Sequence, residues 1–562
     1  MYSLYELRLW FKLLAAKFQQ QQDYLNQLDQ AIGDGDHGFT LARAFASANY
    51  EIEKSVPTDL GIFLDVVASA VAENGGGAIG PLLAAFFAEG GTLFRNRTFW
   101  DIVDLQNFFE RGANAISELG GAKAGQKTLL DALLPAVRAL KESQFDKEPV
   151  MVVKNALEAA YRGSEATRQM VATFGRAAFL GERSIGHPDP GAMSFVLIMQ
   201  CLFDALNGKQ DEILITDDTT EEDFIPPGKF INRPEHMIAE DNQGLAMAYP
   251  GIVEYLEEGI LVRKKPKAEG KVGLTIGHGG GHTPSMGGLV GVGLLDTDVY
   301  GPLFTCASGI KIARAIQLAD RHAGVVLLVS NHSGDVLNAR MALRRAAEWG
   351  IDVKPVYLGD DVATAPRSEI HKRRGLGGLL FALKIGGAAA EMGQPINEVV
   401  RLMEKANLHT ATLAIATRPP THPVTGKPLF ELQKGQMEIG TGVHGEVGVY
   451  RGPILPAEQV VEVVINRLLD DLAGLLQRKV LVFLNGAGGT SHMELNILYR
   501  NTYLFLKDKG VQIAGAVVES LFTTLEMGGV SFSLLAIDDE MEYWWQKPAL
   551  SAHFRWPTDV IC

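Results

Sequence analysis

Residues 207–228, NGKQDEILITDDTTEEDFIPPG, divide the chain into two textures. The stretch is acidic, rich in turn residues and closed by two prolines, which is the composition of an interdomain linker. On its N-terminal side, residues 1–206 carry apolar side chains at i, i+3 and i+4. Leu4, Leu7, Phe11, Leu14 and Phe18 form one such stripe, and DLGIFLDVVASAVAEN, TLLDALLPAVRALKES and FVLIMQCLFDAL repeat it. This period predicts an all-α domain of about eight helices. On the C-terminal side, residues 229–562 change to short β-branched runs that stop at Gly or Asn and lead into helical segments: KVGLTIG, GVVLLVSN, VKPVYLGD, ATLAIAT, VLVFLNG. Buried strands alternating with helices predict an α/β domain with a largely parallel sheet. Ligands of such sheets bind beyond the carboxyl ends of the strands.

A chain of 562 residues is too long for one ordinary core, in keeping with two domains. Its 66 acidic against 52 basic residues give a net charge of -14, which argues against a nucleic acid held by phosphate neutralisation. Cys201, Cys306 and Cys562 stand too far apart for a metal spacing or a disulfide framework. That usage suits a reducing, cytoplasmic setting. The N-terminal MYSLYELRLWFKLLAAKF has helical spacing rather than the build of a signal peptide, and no stretch is apolar enough to cross a bilayer, so no membrane partner is expected.

Residues 28–38, LDQAIGDGDHG, place Asp29, Asp34, Asp36 and His37 within one turn. Carboxylates this close repel each other unless a cation joins them. Mg²⁺ is typically held by a few carboxylates together with substrate phosphates, whereas the spacing is not that of a calcium loop. A magnesium-phosphate site is the expectation. In the second half, TIGHGGGHTP supplies Gly277, Gly279, Gly280, Gly281 and His282, and VSNHSGDVLN supplies Asp335. Such a glycine run lets backbone N–H groups approach a small ligand, but it has neither the phosphate-loop nor the dinucleotide spacing, and a plain tight turn reads equally well.

Taken together, the segments resemble the dihydroxyacetone kinase family over nearly the whole chain. LDQAIGDGDHG, GGGAIGPL, AGQKTLLDALLPA and GRAAFLGERSIGHPDPGA are similar to its nucleotide-binding helical domain. GGGHTP, NHSGDVLN, RRGLGG, KIGGAAAE and MEIGTGVHGEVG are similar to its ketose-binding domain. The resemblance implies an N-terminal eight-helix barrel, then a ketose-binding domain with two α/β halves, in a homodimer. It implies that Asp29, Asp34 and Asp36 hold two Mg²⁺ ions on ATP, with His37, Thr40, Ala78, Gly125, Leu129, Arg176, Asp189 and Gly191 at nucleotide-contacting positions. On the ketose side it implies that His444 adds to the substrate carbonyl as a hemiaminal. Asp335 would then take the proton of the attacking hydroxyl with help from His282, and Gly279, Gly280, Gly281 and Ser330 would line the pocket. Gly442 and Gly445, flanking His444, are expected to leave room for the ligand.

The chain departs from the family in domain order, with the helical domain first. Ile79 stands where a serine is usual, Ser330 where a lysine is usual, and Thr283 where a glutamate follows the histidine. The last two are expected to open the ketose pocket, so that erythrulose ranks beside dihydroxyacetone as substrate. Competing readings are a phosphotransferase-system component, a cyclising FAD-AMP lyase activity and a ketose-sensing regulatory module.

Overall fold

A computed structural model describes residues 1–33, 35–142, 148–208, 228–256, 259–423, 426–446, 448–476 and 479–557. The chain separates into two units, Met1–Glu222 and Asp223–Cys562. The predicted linker, residues 207–228, falls almost wholly outside the described residues.

The first unit holds nine α-helices among the described residues: α1 (Leu4–Gln20), α2 (Gln22–Ile32), α3 (His37–Ser55), α4 (Leu60–Asn74), α5 (Ile79–Leu93), α6 (Ile102–Gly120), α7 (Leu130–Glu142), α8 (Pro149–Ala166) and α9 (Pro190–Leu206). Strand β1 (Tyr2–Ser3) pairs antiparallel with β2 (Phe99–Trp100). The count exceeds the expected eight because the first amphipathic run breaks at Gln21, whose ψ of 8° is not helical. Helix α1 starts where Ser3 and Glu6 form a reciprocal capping box, satisfying backbone N–H groups that the helix itself cannot. Its apolar face meets those of α3, α5 and α6 in an aromatic core, with Phe86 and Phe108 ring centroids 4.9 Å apart and Phe11 and Phe87 5.3 Å apart. Trp10 Nε1 donates to the Ile198 carbonyl at 3.1 Å, tying α1 to α9.

The second unit contains two six-stranded sheets. The first comprises β3 (Val253–Leu256), β4 (Ile260–Arg263), β5 (Gly273–Gly280), β7 (Thr297–Leu303), β8 (Val325–Ser330) and β9 (Val353–Leu358), in the order β3-β4-β7-β5-β8-β9. Its β7-β5-β8-β9 portion is parallel, as expected. The second comprises β10 (Thr410–Arg418), β11 (Gln436–Ile439), β12 (Tyr450–Pro453), β13 (Lys479–Gly486), β14 (Gln512–Glu519) and β15 (Gly528–Ala536), in the order β12-β11-β10-β15-β13-β14. Here only β13 and β14 run parallel, so the expectation of a largely parallel sheet fails for this half. The reason is burial. Every residue of β15 is buried, and a strand covered on both faces reads as an unbroken apolar run whichever way its neighbours point. A small sheet joins β6 (Gly291–Val292), β16 (Ala549–Ser551) and β17 (Arg555–Trp556).

Helices α10 (Met237–Ala248), α11 (Gly309–Ala319), α12 (Ser333–Glu348), α13 (Leu379–Glu391), α14 (Ile396–Leu408), α15 (Ala457–Asp471), α16 (His492–Asp508) and α17 (Asp539–Trp545) cover the sheets. Helix α13 is buried almost all round and contains Lys384, whose Nζ donates to the carbonyls of Trp544 (3.3 Å) and Trp545 (3.0 Å). Burial pushes its pKa down to about 7. Below pH 7 both folded and unfolded chains carry this proton, and the desolvation cost is fully present. Between about 7 and about 10.4 the unfolded chain binds more protons, so stability rises with pH. Urea unfolding of the second unit should therefore gain about 2 kcal/mol between pH 7 and 9 relative to Lys384→Met, at roughly 1.4 kcal/mol per pH unit. Parallel pH profiles for the two proteins would show that Lys384 is not the source.

Candidate active site

The carboxyl ends of β5 and β8 and the loop after β11 converge on one cavity of about 60 Å³. Strand β5 runs to Gly280, with Gly279 packed so close to Phe304 that a Cβ would lie 2.6 Å from its backbone. The next turn presents His282, whose Nδ1 lies 2.7 Å from the Thr523 carbonyl oxygen. That carbonyl belongs to a segment pinned by Asn485 at the end of β13. Its Nδ2 donates to Phe522 O (2.8 Å), and its Oδ1 accepts from the N–H groups of Leu521 (3.0 Å) and Phe522 (2.8 Å). Strand β8 delivers Ser330 and His332, and Asp335 sits in the first turn of α12, where a helix N-terminus favours a negative charge.

His444 occupies the facing loop. Its backbone N–H donates to Glu446 Oε2 (2.8 Å), its Nδ1 lies 3.3 Å from Glu446 Oε1, and its Nε2 lies 3.3 Å from Nε2 of His282. Glu446 is braced from behind by Arg374 Nη1 at 3.7 Å, and Arg374 is itself held by Asp361 at 2.8 and 3.0 Å. Burial works to raise the Glu446 pKa, but its pairing with His444 and the Arg374 charge outweigh it and hold this carboxyl well below its ordinary range. His282 is held well below 6.5 by burial first, then by the neighbouring imidazoles of His444, His278 and His332.

These contacts assign protons. A carbonyl only accepts, so His282 carries its proton on Nδ1 and presents a lone pair at Nε2. An ionised Glu446 likewise takes Nδ1–H of His444, which leaves that ring's lone pair on Nε2. Two lone pairs then face each other at 3.3 Å. Such a pair is relieved by a shared proton or by an electrophile.

Among the predicted pocket residues, Gly279, His282, Ser330, Asp335 and His444 line this one cavity. Gly280 and Gly281 do not. A Cβ on Gly280 would meet Ile238 of α10 at 2.4 Å, and Gly281, with φ +92°, packs on Leu303 and Phe304. Thr283 also points elsewhere, donating from Oγ1 to Asp241 Oδ2 at 2.5 Å, so its replacement of a glutamate does not enlarge this cavity. The glycines beside His444 leave no room for a ligand. A Cβ on Gly442 would lie 2.1 Å from Glu446 and 2.4 Å from Arg374, and one on Gly445 2.5 Å from Phe430. They serve to bring the bracing groups in. Sequence reasoning missed Glu446, His332, Thr523 and Asn485. The first two lie inside MEIGTGVHGEVG and NHSGDVLN, and Asn485 ends the strand run VLVFLNG, whereas Thr523 has no local signal.

In the first unit, Asp29 Oδ2 accepts from the N–H groups of Gly35 (2.9 Å), Asp36 (3.1 Å) and His37 (3.4 Å), closing the turn into α3. Asp34 and the side chain of Arg176 lie outside the described residues. His37 Nε2 lies 3.2 Å from Ser194 Oγ on α9, and Thr40 is buried on the same helix as His37. Asp189 caps α9 through Ala192 N–H (2.7 Å), and a Cβ on Gly191 would sit 3.0 Å from Asp189 and 3.4 Å from Leu129. Gly125, with φ +84°, donates to Asp131 Oδ1 at 2.5 Å, and Ala78 precedes α5. Burial, aided by the carboxylates of Asp131 and Asp29, pushes Asp189 up to about 7. This crowding of acids fits a cation. Lys127, not foreseen, donates from a buried Nζ to the carbonyls of Thr167 (2.8 Å), Ser184 (2.6 Å) and His187 (2.7 Å), and so fixes the segment leading to Asp189.

Residues 243–553 match the Dak1 domain and residues 31–204 the DAK2 domain. The chain is 36% identical over 312 residues to the PTS-dependent dihydroxyacetone kinase 1, dihydroxyacetone-binding subunit DhaK, of Listeria innocua, covering 56% of this chain and 95% of that one. It is 34% identical over 328 residues to the L-erythrulose kinase of Pectobacterium atrosepticum, covering 58% of this chain and 55% of that one. The solved dihydroxyacetone kinase of C. freundii in complex with AMP-PNP and Mg²⁺ is similar at 27% identity and a TM-score of 0.54, over 59% of this chain and 62% of that one. The chain thus spans little more than half of the erythrulose kinase. Among the described residues, no helix is long and apolar enough to cross a membrane.

Proposed function

Because the chain belongs to the dihydroxyacetone kinase family, we propose that it is an ATP-dependent kinase that phosphorylates the terminal hydroxyl of a short-chain ketose held on His444. The observation that carries this reading is the pair of Nε2 atoms facing each other at 3.3 Å, each ring oriented from behind by a fixed acceptor. A ketone carbonyl carbon is the electrophile this arrangement suits. As His444 Nε2 forms the C–N bond, the carbonyl π pair moves to oxygen. The proton shared between the two Nε2 atoms passes to His282 and then to the new alkoxide, giving a hemiaminal hydroxyl on a His444 ring whose positive charge and Nδ1–H are held by the Glu446 carboxylate. A His282 imidazolium is disfavoured by its burial and its imidazole neighbours, so it gives this proton up readily.

The tether fixes the terminal hydroxyl before phosphate arrives, the orientation effect that bimolecular encounter lacks. Asp335, on the same cavity, is the base that takes the hydroxyl proton as oxygen attacks the γ-phosphorus. On the nucleotide side Asp29, Asp34 and Asp36 would hold two Mg²⁺ ions, which neutralise phosphate charge when bound. Gly125, Leu129, Asp189 and Gly191 would frame the nucleotide and Arg176 would contact its phosphates.

For the substrate we propose erythrulose alongside dihydroxyacetone, now on Ser330 alone. Ser330 lines the cavity, and its hydroxyl is 3.2 Å from His332 Nδ1. ADP release across dihydroxyacetone, glyceraldehyde, both erythruloses and larger ketoses tests this. Erythrulose should at least match dihydroxyacetone in kcat/KM, and Ser330→Lys should reduce erythrulose turnover selectively, by about 10-fold, a difference of about 1.4 kcal/mol. An equal loss for both ketoses would mean that Ser330 does not set substrate length.

A further inference from the structure

We propose that His332, His444 and Glu446 form a site for one divalent transition-metal ion of the zinc class, and that filling it excludes the ketose. One ligand atom from each of the three lies within 4.8 Å of the others. Two elements that are distant in sequence bring them together: His332 from the β8–α12 junction, His444 and Glu446 from the loop after β11. The group is no solvated acidic patch. His332 is 7% exposed, and the side chains of His444 and Glu446 are 8% and 10% exposed.

Two imidazoles and one carboxylate are a donor set that zinc-class ions accept, whereas Mg²⁺ and Ca²⁺ require oxygen donors. Ligands around such an ion sit about 2.0–2.1 Å from it, so about 3.4 Å from one another in a tetrahedron. The three must close by up to about 1.4 Å, and the His332 and His444 rings, which both line the cavity, have space there to turn. Supporting contacts already orient them. His332 Nδ1 lies 3.2 Å from Ser330 Oγ, and a proton donated there leaves the lone pair on Nε2. Glu446 is braced by Arg374 at 3.7 Å, a positive charge that limits affinity without blocking ligation. With both imidazoles on the cavity wall, the fourth position faces the cavity.

Metal and ketose compete because both take Nε2 of His444, whose Nδ1 keeps its proton on Glu446. The exclusion rests on the ketose reading above, but the metal site itself does not. The test titrates the full chain with Co²⁺, read by its visible absorption, and with Zn²⁺, read against a chelating indicator, both in excess Mg²⁺ to occupy the acidic turn of the first unit. One ion should bind per chain. His332→Phe and Glu446→Gln should each weaken it about 10-fold or more, as loss of a ligand or its close support does. Zn²⁺-dependent shifts of the His332 and His444 ring nitrogens in ¹⁵N-histidine wild-type protein read ligation directly, whatever the variants' folding. Equal zinc affinity in wild type and His332→Phe, or ring nitrogens unmoved by zinc, overturns the site. Saturating dihydroxyacetone should raise the apparent zinc Kd. If ligation holds and the ketose has no effect, the tether fails and the metal site stands.

Discussion

His444→Ala is expected to lower ketose-dependent ADP formation on the order of 10³-fold or more, because it removes the proposed tether of the attacking hydroxyl. Nucleotide affinity should be unchanged, since the residues predicted to bind ATP belong to the other unit. The expected size follows from what a covalent anchor supplies: a fixed reacting atom in place of a diffusing one. Glu446→Gln should show a smaller loss, because the amide still fills the space beside Gly442 but no longer holds Nδ1–H by charge. Measured turnover within about 10-fold of wild type for His444→Ala would mean that the ketose is positioned without this residue.

Asp36→Asn is the second large effect, and its signature is the reverse. Phosphoryl transfer should fall about 10³-fold or more, while ketose binding at His444 survives. Asp36 precedes α3, but its side chain does not cap the helix, whereas Asp29 uses one oxygen to receive three backbone N–H groups. Asp29 is thus partly a structural residue of the turn, and its removal would confuse folding with catalysis. Asp36→Asn keeps the shape of the side chain and leaves the three bonds to Asp29 in place, so it disturbs the turn less. Turnover near wild type at saturating Mg²⁺ would remove Asp36 from the metal set.

Much of this was legible in the sequence because its signals are local. Helical periodicity from residue 1 to 206 and β-branched runs beyond 229 separate the two units without any knowledge of contacts. His282, Asp335 and His444 stand in glycine-framed motifs at strand ends, where α/β sheets place their ligands. The parts that were misread depend on what lies across space. Strand β15 is buried throughout, so its sequence carries no mark of its antiparallel neighbours β10 and β13. Gly442 and Gly445 signal close approach correctly, but only the packed structure shows that Glu446, Arg374 and Phe430 are what approaches. Thr283 adjoins His282 in the chain yet turns its hydroxyl to Asp241, 42 residues away. Thr523, which fixes the tautomer of His282, is 241 residues away from it and belongs to no motif.

The proposed mechanism turns on a covalent bond between one ring nitrogen and the ketose carbonyl carbon. Dihydroxyacetone labelled with ¹³C at its carbonyl, bound to protein labelled with ¹⁵N in histidine, reports that bond directly as a one-bond carbon–nitrogen coupling. This coupling is expected to Nε2 of His444, to be absent in His444→Ala, and to persist in Asp335→Ala, where only the later proton transfer is lost. Bound ketose without a one-bond coupling, or with a coupling to His282, would contradict it.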